Sequence, residues 1–446
     1  MLRRKGKYAF AARSKPETVL FSFDAKSLTS FDAAIAEFAA ESSEDLVLRR
    51  QDPPVLLRDE IIFLLHTAAE IEHALMAQYL YSAFSLPKTG AQGDWRRQLI
   101  LIAKEEMGHL MAVQNILSAI GGVLNFERED YPFNIFYPFP FKLEPFSVSA
   151  VARYVLAEMP DPTTIPDEIG FSLEEVRSDA GLAPGAGNVN RVGLLFELLL
   201  ELIGEADEDL LIAGAEVYQG DPGAWRAGIN GLVLNKVSTK AEVLKMVDEI
   251  AEQGEGVSLP GTPGVSHFER LFEIYKAAKA APGPLSLPVP TDPTVHEPSA
   301  EGYIENPEAR LWADVFNHRF RWTLASVGSH LFLPEGQDRA TLAQWAFEDM
   351  FLLSEIAEHL VELPRDTDGT KDDEGRNLVA AGPFELPYTL ALPDRPRLIW
   401  LHQEMLHAQS MEQMKKVTIP NPLSLKIGFL DGRRATFIEQ VLNQIG

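Results

Sequence analysis

Glu72, Glu106 and His109 are the residues of this sequence best placed to do chemistry. Glu106-Met-Gly-His109 is a Glu-x-x-His step, and i to i+3 on a helix puts both side chains on one face. That face is otherwise apolar: Leu99, Ile102, Ala103, Leu110, Val113 and Leu117 recur at three- and four-residue steps. Glu72 stands in the same position upstream, on a stripe of Leu57, Ile61, Leu65, Ala68, Met76 and Tyr79. An ionisable group buried on such a stripe is costly unless it is paired or holds a cation. Helical bundles build two-metal sites from a Glu on one helix and a Glu-x-x-His on its neighbour. A shared cation offsets the desolvation of both carboxylates at once; a metal-free salt-bridge cluster is the competing explanation. Two other Glu-x-x-His steps occur. Glu70 and His73 lie off their stripe, which suits a supporting or surface role. Glu404 and His407 lie on a later amphipathic stretch and remain an alternative ligand pair.

The elements that must position these groups are helical. Periodicity predicts a helix over 56–84, ended by Pro87 and the Gly90–Gly93 stretch, and a second over 94–120. Asp94 is the expected N-cap of the second, and Gly121-Gly122 its stop. The connection is short, so the two should pack antiparallel. Residues 123–146 are rich in proline and aromatics and read as a flap over the core. Helical pieces follow near 148–158 and 190–204. Thr239-Lys-Ala-Glu242 is a capping box that opens a helix to about Gly254, and Ser266 caps another through about Ala280. Three more helical stretches cover 306–333, 337–363 and 393–416. The expected organisation is all-α: an extension (1–55, with a strand-like piece at 18–23 and a helical one at 31–40), a metal-binding four-helix bundle with a long crossover (56–280), a proline-rich linker (281–305) and a C-terminal helical lobe (306–446).

Composition narrows the chemistry. The chain has 446 residues and no cysteine, which excludes disulfides, zinc fingers and thiolate-held haem or iron–sulfur clusters. Any metal must sit on Glu, Asp, His, Tyr or an amide, a donor set that suits iron, manganese, magnesium or zinc. The net charge of −25 argues against nucleic acid or an anionic membrane as the main partner. No apolar run reaches the roughly 18 residues of a membrane span, and no apolar core follows the basic N-terminus as in a signal peptide. These features favour the cytoplasm, and a homo-oligomer is compatible with them.

The stretch LLHTAAEIEHALMAQYLYSAFSLP (64–87) followed by LILIAKEEMGHLMAVQNILSAIGG (99–122) resembles the ferritin-like family typified by iminophenyl-pyruvate dimer synthase. EQGEG (252–256), SHFERLFEIY (266–275) and AGPFEL (381–386) are similar to it as well. The resemblance implies a ferritin-like bundle with Glu72, Glu106 and His109 as metal ligands. It also implies Tyr79, seven residues after Glu72, beside the metals as a hydrogen-bond donor or redox participant. The general pattern asks for a further Glu and a second Glu-x-x-His in the later half, and the region 239–280 has no such step. Glu255, between Gly254 and Gly256, and His267, across one short loop, are the expected replacements. That set of three Glu and two His resembles the manganese-catalase branch; Glu197, Glu201 or Glu252 are alternatives to Glu255.

The implied function is a non-haem dimetal oxidase, with two iron ions or manganese as cofactor. It would act on a small amino-acid-derived, aromatic metabolite with O2 or peroxide. His73 and Gln78 would support Glu72. An iron-handling ferroxidase, a manganese-catalase-like enzyme and a metal-free helical binding protein are the alternatives.

Overall fold

The computed structural model describes residues 56–128, 138–182, 191–220, 222–225, 231–257, 266–387, 390, 392–417 and 420–445. The elements expected within 1–55, and the centre of the proline-rich segment at 129–137, lie outside the described residues.

Two long helices, α1 (Leu57–Phe84) and α2 (Gly90–Ala119), run antiparallel. Arg96 near the start of α2 donates to the carbonyls of Ala83 and Leu86 at the end of α1, and His66 near the start of α1 meets Val123 O just past α2. The helix α2 begins four residues earlier than the composition suggests. Thr89, with extended backbone, occupies the N-cap position and Gly90 supplies a positive φ of 72°. Asp94 is therefore inside the helix, paired with Arg97. The stop is as expected: Gly121 is left-handed at φ 70°, Gly122 N donates to Leu117 O and Gly121 N to Ser118 O, which satisfies the last carbonyls.

Shorter helices close the bundle: α3 (Val148–Glu158), α4 (Leu173–Asp179), α5 (Val192–Glu205), the single turn α6 (Pro222–Trp225), α7 (Lys240–Glu255) and α8 (His267–Ala280). The expected capping box of Thr239 with Glu242 forms, and the expected cap Ser266 forms a second box with Glu269, so the starts of α7 and α8 are fixed locally. The helix α3 packs against α8, and α5 against α7 and α1. Four further helices follow: α9 (Pro307–Phe332), α10 (Gln337–Leu360), α11 (Pro396–Met414) and α12 (Pro422–Ile445).

One apolar core runs through these elements, from Ile61 and Leu65 on α1 to Ile356 on α10 and Ile427 on α12. The ring of Phe320 on α9 lies 5.6 Å from that of His73 on α1. Residues 281–305 lie along α1: Leu287 N donates to Ser85 O, and Val289 is buried. The last four helices are tied by a buried ionic knot. Arg319 on α9 grips Asp431 on α12 through both Nη atoms at 2.9 and 2.6 Å, Ser410 on α11 donates to Asp431 at 2.7 Å, and Arg434 on α12 reaches Asp349 on α10 at 2.7 Å. A buried charge lasts only when paired in this way. Among the described residues no helix is long and apolar enough to cross a membrane.

Candidate metal centre

The two long helices bring Glu72, Glu106 and His109 together at their middle, each about 2% exposed or less. His109 Nδ1 lies 3.0 Å from Glu106 Oε2 and 3.5 Å from Glu72 Oε2. The first residue of α8, His267, comes to the same point from the other side of the bundle. Its Nδ1 is 2.9 Å from Glu106 Oε1, and the two imidazoles stack with centroids 5.2 Å apart. Ligand atoms of Glu106, His109 and His267 all fall within 4.8 Å of one another.

A fourth helix contributes a residue that periodicity did not single out. Glu158, the last residue of α3, is 4% exposed, with Oε2 3.8 Å from His267 Nδ1. Tyr79 donates its hydroxyl to the other oxygen of Glu158 at 2.5 Å. The signal was present: Val151, Val155 and Glu158 fall at i, i+4 and i+7, so Glu158 is a charge on an apolar stripe like Glu72 and Glu106.

Glu255 is placed differently. It is the last residue of α7 and lines the same small cavity, but its carboxylate is held by Arg191 at 3.0 Å. Arg191 also reaches Glu197, which is exposed. Glu201, Glu252 and Glu404 are exposed, and His407, on α11, is partly buried outside the cluster. Glu70 accepts from Asn125 at 2.9 Å, and Gln78 donates to Lys142 O at 3.2 Å. His73 is fully buried beside Phe320, and burial together with the charge of Arg128 holds its pKa down to about 3.

Neighbours outside the cluster hold each imidazole. His109 Nε2 meets Gln253 Oε1 at 2.9 Å, and Gln253 Nε2 is fixed on Gly231 O. His267 Nε2 lies 3.2 Å from Glu105 Oε2, a carboxylate that Arg270 grips. Each histidine therefore turns Nδ1 inward. Burial opposes charge on His109, but the hydrogen bonds and charges of Glu106 and Glu72 outweigh it and hold its pKa up at about 10. Burial and the charge of Glu106 push Glu72 well above the usual carboxylate range, and the same two causes raise Glu158. Burial of Glu106 is overcome by the charge of His267 and the bonds from both histidines, which hold it well below that range.

The group fits a cation on its own geometry. Glu72 Oε2, Glu106 Oε1 and the inward His267 Nδ1 are buried without an aligned hydrogen bond. Lone pairs that converge without hydrogen-bond alignment are the arrangement that a metal ion satisfies, and buried polar atoms otherwise find partners. The cavity between them, walled by Leu75, Val192, Phe196 and Ile250, has a volume of about 10 Å³. That is room for one water-sized sphere or ion.

The Ferritin-like family model matches residues 65–276, the segment that holds every residue of this cluster. The bundle is ferritin-like. Dichlorochromopyrrolate synthase of Lentzea aerocolonigenes is 25% identical over 393 residues, covering 76% of this chain and 37% of that protein. The 2-imino-3-(indol-3-yl)propanoate dimerase of Chromobacterium violaceum is 27% identical over 350 residues, covering 67% of this chain and 32% of that protein. The chain thus spans about a third of the length of the relatives it matches. A solved ferritin-like protein from Caulobacter vibrioides superposes with a TM-score of 0.45 at 16% identity, over 70% of this chain and 97% of that one.

Proposed function

We propose that the ferritin-like bundle holds one or two metal ions, iron first and manganese second, on Glu72, Glu106, His109, Glu158 and His267. We propose further that the chain serves a two-electron oxidation of a small, amino-acid-derived aromatic metabolite. The observation that carries the reading is the convergence of three buried carboxylates and two inward-facing imidazole nitrogens from four helices. The all-oxygen-and-nitrogen donor set suits iron and manganese. The substrate class rests on the relatives, one of which is named for an indolyl imino acid.

Bound metal would supply the capacity to take two electrons from a substrate and pass them to O2 or peroxide. The protein's own groups do the rest. Gln253 and Glu105 fix the two imidazoles, as supporting partners of metal-bound histidines do. Tyr79 holds Glu158 by its hydroxyl proton, and burial with the Glu158 charge keeps that phenol protonated. The apolar walls exclude bulk water. Oxidative coupling of two imines removes two electrons and two protons in all; hydrogen peroxide accepts both pairs and leaves as two waters. The cavity admits a water-sized molecule and no indole ring. An aromatic substrate therefore needs the edge formed by α5 and α7 to open.

Elemental analysis of protein purified without chelator tests the metal reading, followed by spectroscopy for a coupled pair. Glu106→Ala and His109→Ala should each abolish tight metal binding with helical content nearly unchanged. Unaltered stoichiometry in both would remove the metal from this cluster. The oxidase reading has a separate check: oxidant consumption driven by an imine of an aromatic keto acid, present in the metal-loaded protein and lost in both variants. Metal without that consumption leaves the site standing and rejects the substrate class. Rapid peroxide dismutation with manganese bound would favour a catalase-like role instead.

A further inference from the structure

A second concavity, of about 640 Å³, opens between α9 and α11, and none of the metal-centre residues lines it. Its size is that of a site for a small organic molecule, roughly 300–1,000 Å³. Met405 and Ala408 from α11 and Leu386 and Pro387 from the segment before it give it apolar surface.

Its charges are unequally matched. Three carboxylates line it, and each has partners. Asp314 accepts from Gln413 at 3.0 Å, Glu385 from Asn317 at 2.7 Å and from the Thr294 hydroxyl, and Glu412 pairs with Lys415. Arg321 lines the same space half-buried, its Nε is without a partner, and no carboxylate pairs with it among the described residues. Burial draws its pKa down, and no acid offsets that. Beside it, one turn back on α9, His318 is 7% exposed and its buried Nε2 also lacks a partner. An unmatched guanidinium and an imidazole nitrogen without a hydrogen bond, over an apolar floor, are groups whose desolvation no carboxylate lining the cleft offsets.

We propose that this cleft is a binding site for a small organic carboxylate, whose carboxylate pairs with Arg321 and whose apolar body lies on Met405 and Leu386. A guanidinium is the side chain whose planar fork matches a carboxylate, through two parallel hydrogen bonds. The site stands independently of the metal centre, since none of its residues belongs to that cluster.

The test is calorimetric titration of chelator-treated full-length protein with indole-3-acetate and with its neutral counterpart indole-3-acetamide. The acetate should bind saturably and at least tenfold more tightly than the amide. Arg321→Met should remove that preference and weaken the acetate at least tenfold, while leaving the weak amide binding as it was. Should Arg321→Met fail to fold, Met405→Glu, a change at a 42% exposed position, sets a negative charge at the floor and should weaken the acetate by a similar factor. Absence of saturable acetate binding, equal binding of acid and amide, or acetate binding within twofold of wild type in both variants overturns the proposal.

Discussion

Gln253 on α7 decides which nitrogen of His109 faces the metal centre. Its Nε2 is committed to Gly231 O at 2.9 Å, so its Oε1 is the atom that meets His109 Nε2, also at 2.9 Å. An oxygen there requires a proton on Nε2, which leaves Nδ1 as the nitrogen turned toward Glu106 and Glu72. Gln253→Leu removes that constraint while keeping the side chain's bulk. It should weaken metal affinity about 10- to 100-fold, the range for such supporting partners, without loss of helicity. Metal titration with circular dichroism checks it; an unchanged affinity would mean that α2 alone fixes the ring.

Glu158 and Glu255 are rivals for the later carboxylate ligand, and the structure separates them. Glu158 approaches His267 with one oxygen and accepts from Tyr79 on the other. Glu255 is engaged by Arg191, and burial against that ion pair leaves its pKa at about 7. Glu158→Ala should therefore lower metal stoichiometry or affinity at least tenfold, and Glu255→Ala should change it by less than threefold. The reverse ranking would return Glu255 to the ligand set. Glu404→Ala, on an exposed face of α11, should leave metal content alone.

The sequence carried the first half of this site more clearly than the second, for a physical reason. Glu72, Glu106 and His109 interrupt long apolar stripes, and over 28 and 30 residues helical period is a strong signal. The Thr239 capping box and the Ser266 N-cap were readable because they are local in sequence, whereas the box that Ser266 makes with Glu269 is seen in the structure. The later half comes from helix ends. Glu158 closes an 11-residue helix and His267 opens a 14-residue one, where about three or four turns give periodicity less to act on than the roughly eight turns of α1 and α2. Glu105 was invisible for another reason: it sits next to Glu106, and its role depends on Arg270, 165 residues away. The start of α2 shifted because a positive-φ glycine, which has no pattern of its own, sets it.

Gly193, in the first turn of α5, has no room for a side chain. A Cβ there would collide with the Glu255 carboxylate, which Arg191 holds in place. Gly193→Ala should destabilise the protein by about 1–3 kcal/mol, the usual cost of overpacking. Gly204→Ala, in the last turn of the same helix, where a Cβ meets nothing, should be neutral or stabilising by up to about 1 kcal/mol. Paired denaturant melts of the two variants check this. Equal effects would show that the close approach at Gly193 yields without cost.

His318 makes stability depend on acid. Burial, with the charge of Arg319 beside it, holds its pKa down to about 3 in the folded chain, against about 6.5 for a free imidazole. The folded value is the lower one, so the unfolded state takes up the proton first. The stability this group contributes is fully present above about pH 6.5 and is lost as pH falls toward 3. Between pH 7 and 4.5 that loss amounts to about 2–3 kcal/mol. His318→Gln has no proton to gain, and every carboxylate common to both proteins cancels in their difference. Urea unfolding of wild type and His318→Gln across that range should therefore show the stability difference moving in favour of the variant as pH falls. A constant difference would mean that the His318 imidazole is already protonated, or freely hydrated, in the folded chain.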